Sequence, residues 1–269
     1  MLDAISALLY IAALYLLATT ILNRNSESSA SKSSKGLILL ACALVFHAGG
    51  VYQSISTENG YVLSILKMPS LFFVIINAIV LLSCLSKPKP LRNLFIFLIP
   101  LSTAAIAGDV FTNESTAQAT HYSPGVTTHV LLSILAYSLL TIATLQALFL
   151  AYQNRQLKNK QLRGILGIMP PLQSMESLLF ELLWAGQILL TLSIISGAIF
   201  IEDLFAQHLV HKTAFSILSW VIYAVLLSGR HFLGWRGPSA IRWTVGGFAA
   251  LMLAYFGSKL VLEIILNRV

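Results

Sequence analysis

Long uncharged stretches dominate the sequence and recur eight times along its 269 residues. Each stretch lacks Asp, Glu, Lys and Arg and, with its polar flanks, reaches the roughly 17 to 25 residues that a helix needs to cross a bilayer. The pattern predicts an all-α, polytopic integral membrane protein, a bundle of eight transmembrane helices in a single membrane domain over residues 1–269. The predicted helices cover residues 4–22, 37–54, 66–85, 92–108, 126–152, 180–201, 212–229 and 240–264.

The first and fourth helices need separate arguments. Residues 4–22 follow Asp3, have no basic residue before them and lack an A-x-A cleavage site, so we expect a retained helix rather than a signal peptide. The fourth stretch is short and contains Pro100, which a spanning helix tolerates where neighbouring helices re-satisfy the freed backbone groups. We keep it as a helix because its loss would place the two termini on opposite sides of the membrane.

Composition supports the membrane assignment and removes other classes of protein. Apolar residues make up 57% of the chain and charged residues 10%, against about 25% charged in soluble proteins. With a mean hydropathy of +0.82, a water-soluble fold is excluded. Cys42 and Cys84 cannot form a disulfide framework and lie in no C-x-x-C pattern, which argues against a thiol oxidoreductase or a c-type cytochrome.

The 17 Lys and Arg residues are divided unequally between the two sets of alternate loops. Thirteen fall in the loops after helices one, three, five and seven, and four fall elsewhere, at Lys67, Lys212, Lys259 and Arg268. Because short cytoplasmic loops carry the excess of basic residues, both termini are predicted to face outside, N-out and C-out. The net charge of +7 therefore reflects orientation in the lipid bilayer, and we predict no nucleic acid partner.

Three shorter patterns predict local structure. The Ser-rich residues 23–35 are typical of a flexible linker. Residues 172–183 follow a proline pair and predict a helix that lies along the inner interface before helix six. Small residues that share a helix face predict close packing within the chain rather than between copies. They are Ser193 and Gly197 in helix six, and Gly246, Ala250, Ala254 and Ser258 in helix eight.

Histidines are the first candidates for chemistry, because ionisable side chains in or near spanning segments are costly and usually functional. Most of the six histidines are predicted to converge on the outer face of the membrane. The outer set comprises His47 in helix two, His129 near the end of helix five, and His121, His208 and His211 in or beside outer loops, whereas His231 ends helix seven on the cytoplasmic side.

The residues alone leave three interpretations of these histidines open. Two imidazoles that face each other across an apolar pocket can ligate haem iron axially. A proton relay is the second interpretation, but the acidic residues that it would need are absent between the predicted helices. Interfacial histidines hydrogen-bonded to loop carbonyls are the third, and the absence of an H-x-x-x-H or H-E-x-x-H pattern favours it on spacing alone.

Several segments together resemble the cytochrome c assembly protein family, and within it the HemX-like and YpjD-like inner-membrane proteins. They are TTHVLLSILAY at 127–137, MPPLQSME at 169–176, HKT at 211–213 with SW at 219–220, GWRG at 234–237 and AYFGSK at 254–259. The resemblance covers residues 123–269 strongly and the first four helices more generally, where His47 is the clearest matching position.

The resemblance implies a multi-pass protein of the bacterial inner membrane that binds or handles haem at the outer face. In some family members the haem is delivered to apocytochrome c. By position, His129 resembles the family's first external haem-ligand histidine, and His211 stands near the place expected for the second part of the pocket. Lys212 resembles a lysine of the family's Trp-rich external motif. Haem is thus the expected cofactor, with His129, His211 and His47 as its binding residues, and apocytochrome or other assembly proteins are the expected partners.

One departure from the family pattern changes the expected role. Residues 201–212 contain no Trp, so the Trp-rich signature that presents haem is missing and an accessory role is expected rather than a complete synthetase. No nucleophile triad, phosphate loop or dinucleotide fingerprint occurs, and we expect no independent enzymatic turnover. The alternative is a cofactor-free accessory or transporter-associated subunit that retains the fold. Trp184 and Trp220 are candidates for the walls around the porphyrin, although such tryptophans more often anchor a helix at the bilayer interface or belong to the core.

Overall fold

The computed structural model describes residues 1–22, 28–58, 60–62, 64, 67–85, 91–110, 121–159, 171–200 and 207–257. Within these ranges the chain is mostly helical. The α-helices are α1 (Leu2–Leu22), α2 (Ser28–Ile55), α3 (Lys67–Ser83), α4 (Phe95–Val110), α5 (Pro124–Lys158), α6 (Leu172–Phe200), α7 (Gln207–Leu233) and α8 (Pro238–Met252). A 3₁₀ turn, Arg92–Leu94, leads into α4, and a π-helical turn, Leu253–Gly257, continues α8.

Six of these helices are long and apolar enough to cross a membrane, namely α1, α2, α4 with its preceding turn, α5, α6 and α7. The fourth reaches this length, Arg92–Val110, with Pro100 inside it. α3 is a shorter apolar helix of 17 residues, and α8 has 15 residues before its π-helical turn. The chain is therefore a multi-pass membrane protein.

Helix packing divides the chain into two compact units. In the first unit, which runs to His121, α1 packs against α2 and α4, and α3 packs against the same two helices. In the second unit, which begins at Tyr122, α5 packs against α6 and α8, and α7 packs against the same two helices. Each unit is thus a ring of four consecutive helices. The single membrane domain predicted over residues 1–269 stays a prediction.

Two helices extend beyond their predicted limits. α2 begins at Ser28, so the linker predicted over 23–35 is wrong from that residue on, and residues 23–27 lie outside the described part. α6 runs unbroken over Leu172–Phe200, and the separate interfacial helix predicted over 172–183 is also wrong. The reason is cooperativity: once a helix is nucleated, each further residue adds a hydrogen bond, and no Gly or Pro interrupts residues 172–185.

One small β-hairpin departs from the all-α prediction. Strand β1, Ser56–Thr57, pairs antiparallel with β2, Gly60–Tyr61, directly after α2. The turn closes at Gly60, whose φ of 118° suits a residue without a Cβ atom, and the Thr57 hydroxyl donates to the Gly60 carbonyl at 2.7 Å. Strands of two residues are too short to show an alternation of hydrophobic and polar positions. The hairpin therefore could not be predicted from the sequence pattern.

Small residues let the helices of the second unit approach closely. A Cβ atom added at Gly186 would lie 2.6 Å from Leu140, and one at Gly247 would lie 2.8 Å from the Tyr223 ring. The packing predicted for helix eight is wrong at Gly246, which is exposed with open space around it, whereas Ala250 and Ala254 are buried. Successive fourth residues drift around a helix of 3.6 residues per turn, and the buried face passes through Gly247 instead.

Candidate functional site

His129 lies in the second turn of α5, where the start of the helix fixes its position. Ser123 caps the helix, accepting weakly from the Val126 amide at 3.4 Å, and Pro124 occupies the first helical position. The Thr128 hydroxyl donates back to the Pro124 carbonyl at 2.9 Å. These contacts fix the first turn of α5. His129 follows in the next turn, where it is half-buried and faces α6.

The imidazole of His129 is hydrogen-bonded across to α6. Its Nδ1–H donates to the carbonyl oxygen of Ser193 at 2.8 Å, and the hydroxyl oxygen of Ser196 lies 3.3 Å from the same nitrogen. A carbonyl oxygen can only accept, so Nδ1 carries the proton of the neutral ring. The second ring nitrogen, Nε2, is then the one with a lone pair.

Gly197 makes room for this ring. A Cβ atom at position 197 would lie 2.9 Å from Cε1 of His129 and 3.0 Å from Nδ1, closer than real Cβ contacts allow. Ser193 and Gly197 are both buried, and their small side chains let α6 approach the imidazole. The packing predicted for this pair is therefore present within the chain, and it serves the histidine directly.

Nε2 of His129 keeps its lone pair available. In the described part of the chain its partner is the hydroxyl of Ser133, one turn further along α5, at the long distance of 3.5 Å. The single proton of that hydroxyl has closer acceptors, the His129 carbonyl at 2.8 Å and the Ser193 hydroxyl at 2.7 Å. In this tautomer Nε2 carries the lone pair that a histidine uses to coordinate a metal ion.

His47 lies in the first unit in a different setting. It is fully buried in α2, with Nδ1 3.1 Å from the Tyr10 hydroxyl of α1 and Nε2 2.9 Å from the Ser70 hydroxyl of α3. The Tyr10 ring meets the imidazole edge-on, with 5.6 Å between centroids. Since a hydroxyl can donate or accept, these two partners satisfy both ring nitrogens in either tautomer.

A second polar pair lies in the same unit. The Asn77 amide of α3 donates to the Ser102 hydroxyl of α4 at 2.7 Å, and both residues are fully buried. The amide oxygen of Asn77 has no hydrogen-bond partner among the described residues. The first unit thus holds polar side chains that bind one another, which is how buried polar groups avoid a desolvation cost.

The other histidines are less completely described. His211 and His208 lie in the first turns of α7, and their side chains are outside the part of the chain that the structure describes. His121 is exposed before α5, and His231 is exposed at the end of α7, edge-on to Phe232. The convergence of the outer histidines on one cleft, and of His129 with His211 in particular, stays a prediction.

The two tryptophans singled out from the sequence differ in position. Trp184 is about half exposed on α6, whereas the Trp220 indole donates its Nε1–H to the Thr191 hydroxyl at 2.8 Å, across from α7 to α6. Across the described residues, no group of three His, Cys, Asp or Glu side chains is placed to hold a metal ion.

Sequence reasoning missed the serines that surround His129. Ser133 follows it by four residues, the spacing that places two side chains on one helix face, and this signal was available in the sequence. Ser193 was singled out for packing alone, because its contribution to the histidine is a backbone carbonyl that no side-chain pattern reveals. Tyr10 and Ser70 were missed for the same reason, since they reach His47 from other helices.

Comparisons with known proteins add to this geometry. The model of a family described as Cytochrome C assembly protein matches residues 1–266. The chain is 34% identical over 231 residues to Inner membrane protein YpjD of Escherichia coli K12, covering 85% of this chain and 87% of that protein. It is 28% identical over 90 residues to Cytochrome c biogenesis protein CcsA of Prochlorococcus marinus NATL1A, covering 33% of this chain and 29% of that protein. No solved structure matches the chain significantly.

Proposed function

The chain belongs to the cytochrome c assembly protein family, and on that premise we propose that it binds haem as an accessory protein of cytochrome c biogenesis, with His129 as an iron ligand. The observation that carries the proposal is the hydrogen bond from Nδ1 of His129 to the Ser193 carbonyl. Haem-ligating and metal-ligating histidines typically donate their second ring nitrogen to a carbonyl or carboxylate, which fixes the tautomer and raises the basicity of the coordinating nitrogen.

The residues around His129 fit such a ligand. Nε2 has a single long contact in the described chain, and Gly197 provides the space on the α6 side that the ring occupies. When bound, haem would supply a redox-active iron, while the chain orients the imidazole and surrounds it with an apolar bundle. We assign the second ligand to His211, which the resemblance places in the other part of the pocket. His47 is the third histidine that the resemblance implies, but both of its ring nitrogens bind hydroxyls, so we assign it no contact with the iron.

The membrane arrangement that we propose has eight spans with both termini outside, in the bacterial inner membrane. The 17 residues of α3 rise about 26 Å, close to the hydrocarbon thickness of about 30 Å. α8 and its π-helical turn together cover residues 238–257, which is also long enough to span. The partition of Lys and Arg between alternate loops supports this orientation, and the relative in Escherichia coli is named as an inner membrane protein.

The role that we propose is non-enzymatic and accessory. Residues 201–212 lack the tryptophans that would present haem, and no catalytic motif occurs in the sequence. The CcsA relative is named as a cytochrome c biogenesis protein, which supports haem, apocytochrome or another assembly protein as the partner here. This chain would hold haem at the outer membrane surface and transfer it to a partner protein. It would not itself attach the haem covalently to an apocytochrome.

A second function is favoured by one observation. Both ring nitrogens of His47 are engaged by hydroxyls, so this histidine is already satisfied without a cofactor. If both ring nitrogens of His211 were also engaged by hydrogen bonds, His211 could not bind iron. The chain would then be a cofactor-free accessory or transporter-associated subunit with the family fold. The state of His129 argues for the first function, because a purely structural histidine in a bundle gains stability by using both nitrogens.

Absorption spectroscopy of the full chain purified in detergent, with and without added haem, tests the proposal. We expect a Soret band that His129→Ala shifts or reduces and that His129→Ala/His211→Ala abolishes, because the second variant lacks both axial ligands. His121→Ala and His231→Ala are matched controls, since both side chains are exposed. A double variant with the wild-type spectrum would remove both residues as ligands, and a wild-type protein that takes up no haem would favour the cofactor-free function.

A further inference from the structure

The turn between α7 and α8 folds a tryptophan back onto the end of α7. Gly234 and Gly237 have positive φ angles of 64° and 52°, which suit glycine and let the chain reverse direction. The amide of Trp235 donates to the Gly229 carbonyl at 3.1 Å, and its indole stacks on Trp243 of α8 with 5.5 Å between centroids. The Trp235 ring is therefore fixed in place.

A groove runs along α7 beside this tryptophan. It has a volume of about 360 Å³ and an almost wholly apolar lining. Its floor consists of the small residues Ala224, Ser228 and Gly229, and its walls include Trp220, Phe232 and Trp235. Trp220 is held by its bond to Thr191, so both indole walls are fixed before any ligand arrives.

The dimensions of the groove match one bilayer leaflet. The lining residues extend along α7 from Trp220 to Leu233, a rise of about 20 Å. Half of the hydrocarbon core measures about 15 Å. The groove can therefore hold one acyl chain from the headgroup region to the bilayer centre. Phe232 is 79% exposed at the end nearest the turn, so a chain can enter from the surrounding lipid.

Basic side chains lie at the end of the groove nearest the turn. Glu176 of α6 is the acid that contacts them, 3.4 Å from a terminal nitrogen of Arg230 and 3.9 Å from Nε of Arg236. Its carboxylate also accepts from the Gly237 amide at 3.3 Å. One carboxylate cannot neutralise these arginines and Arg242, which is exposed on the first turns of α8. The local charge is positive.

We propose that this corner is a binding site for an anionic phospholipid, with one acyl chain in the groove and the phosphate at Arg236 and Arg242. Arg236 is 68% exposed in its side chain, so it can reach a phosphate while Arg230 keeps its bond to Glu176. Charge complementarity selects this occupant over a neutral lipid, since guanidinium groups form bidentate bonds to phosphate. The site is independent of the haem proposal.

Native mass spectrometry of the full chain in detergent tests the site, with phosphatidylglycerol and phosphatidylcholine of identical acyl chains as probes. We expect phosphatidylglycerol to bind preferentially, and Arg236→Gln/Arg242→Gln to weaken that binding about tenfold, a loss of about 1.4 kcal/mol. The matched control is Arg155→Gln/Lys158→Gln, which removes two exposed basic residues at the end of α5. It should leave phosphatidylglycerol binding unchanged.

A second variant separates the groove from the charges. Ser228→Phe fills the floor and should displace the acyl chain although the arginines remain, whereas Ile217→Phe on an exposed position outside the groove should not. Equal binding of the two probes, or equal loss in the arginine variant and its control, would overturn the proposal. A dimer that Ser228→Phe dissociates irrespective of lipid would also overturn it, because the groove would then hold a second copy.

Discussion

His47 and His129 each lie on a helix of a four-helix unit, but their ring nitrogens are used differently. His47 is fully buried and bonds a hydroxyl at each nitrogen, at 3.1 and 2.9 Å. His129 is half-buried and gives one nitrogen to a backbone carbonyl at 2.8 Å, while the other has a single contact at 3.5 Å. The two histidines therefore differ in burial and in the number of ring nitrogens that have a close partner. The second difference is the reason that we propose His129, and not His47, as the iron ligand.

The difference has an energetic consequence. A hydrogen bond contributes about 0.5–1.5 kcal/mol net, but a buried group left without its partner costs about 1–3 kcal/mol. His47 binds two buried hydroxyls on two other helices, so its removal would take one hydrogen-bond partner from each. Removal of His129 leaves one carbonyl that still accepts from the Ser196 hydroxyl at 2.9 Å. The first histidine is thus expected to govern stability and the second to govern binding.

The largest expected effect is that of His47→Ala on stability. It removes a hydrogen-bond partner from the buried hydroxyls of Tyr10 and Ser70 and opens a cavity between three helices, which we expect to lower the free energy of unfolding by about 2–4 kcal/mol. Unfolding of the detergent-solubilised chain by heat or denaturant, followed by circular dichroism, measures it. Val45→Ala, an exposed position on the same helix, is the control and should change little.

Haem content measured on the same His47→Ala sample decides whether the comparison holds. We expect the surviving folded protein to retain its Soret band, because His129 keeps its tautomer and lone pair in the other unit. A variant that keeps full stability and loses haem would reverse the roles of the two histidines. His47 would then exchange a hydroxyl for iron when haem is present.

The positions of the helices could be predicted from the sequence, whereas the hydrogen bonds of the histidines could not, and the reason is physical. A bilayer requires about 20 uncharged residues per span, so each helix leaves a local signal, and the lone proline of the fourth did not obscure it. Which nitrogen of His129 carries the proton depends on the Ser193 carbonyl, 64 residues away. The choice between Gly246 and Gly247 likewise depends on a rotation of about 100° around α8, which a repeat of four residues does not resolve.

Gly197→Ala should produce the next largest effect, and it acts on the second unit alone. The new Cβ atom would lie 2.9 Å from the His129 ring, so the imidazole must move away from the Ser193 carbonyl. Overpacking costs about 1–3 kcal/mol, offset by up to about 1 kcal/mol of helix propensity. We expect a weaker Soret band and a lower free energy of unfolding, measured by titration with haem and by denaturant unfolding.

Gly246→Ala is the matched control for this substitution. It also places a methyl group on a helical glycine, but nothing lies within 4 Å of its Cβ position. We expect unchanged haem binding and a stability increase of up to about 1 kcal/mol from helix propensity. If Gly197→Ala behaved in the same way, the close contact with His129 would have no part in binding.

The smallest expected effect is that of Ser133→Ala, which lies beside His129 and is matched by Ser70→Ala beside His47. Ser70→Ala removes one of the two partners of His47 and leaves a ring nitrogen unpaired in a buried position, which we expect to cost about 1–3 kcal/mol. An imidazole is rigid and cannot turn to another hydrogen-bond partner without breaking its bond to Tyr10. Ser133→Ala instead leaves the Ser193 hydroxyl to rotate towards a carbonyl of its own helix, as serines in helices do, and should cost less than about 1 kcal/mol. The two free energies of unfolding, measured under one set of conditions, should differ in that order. Equal costs would show that the hydroxyls around His129 hold it as firmly as those around His47, and the contrast between the two units would be lost.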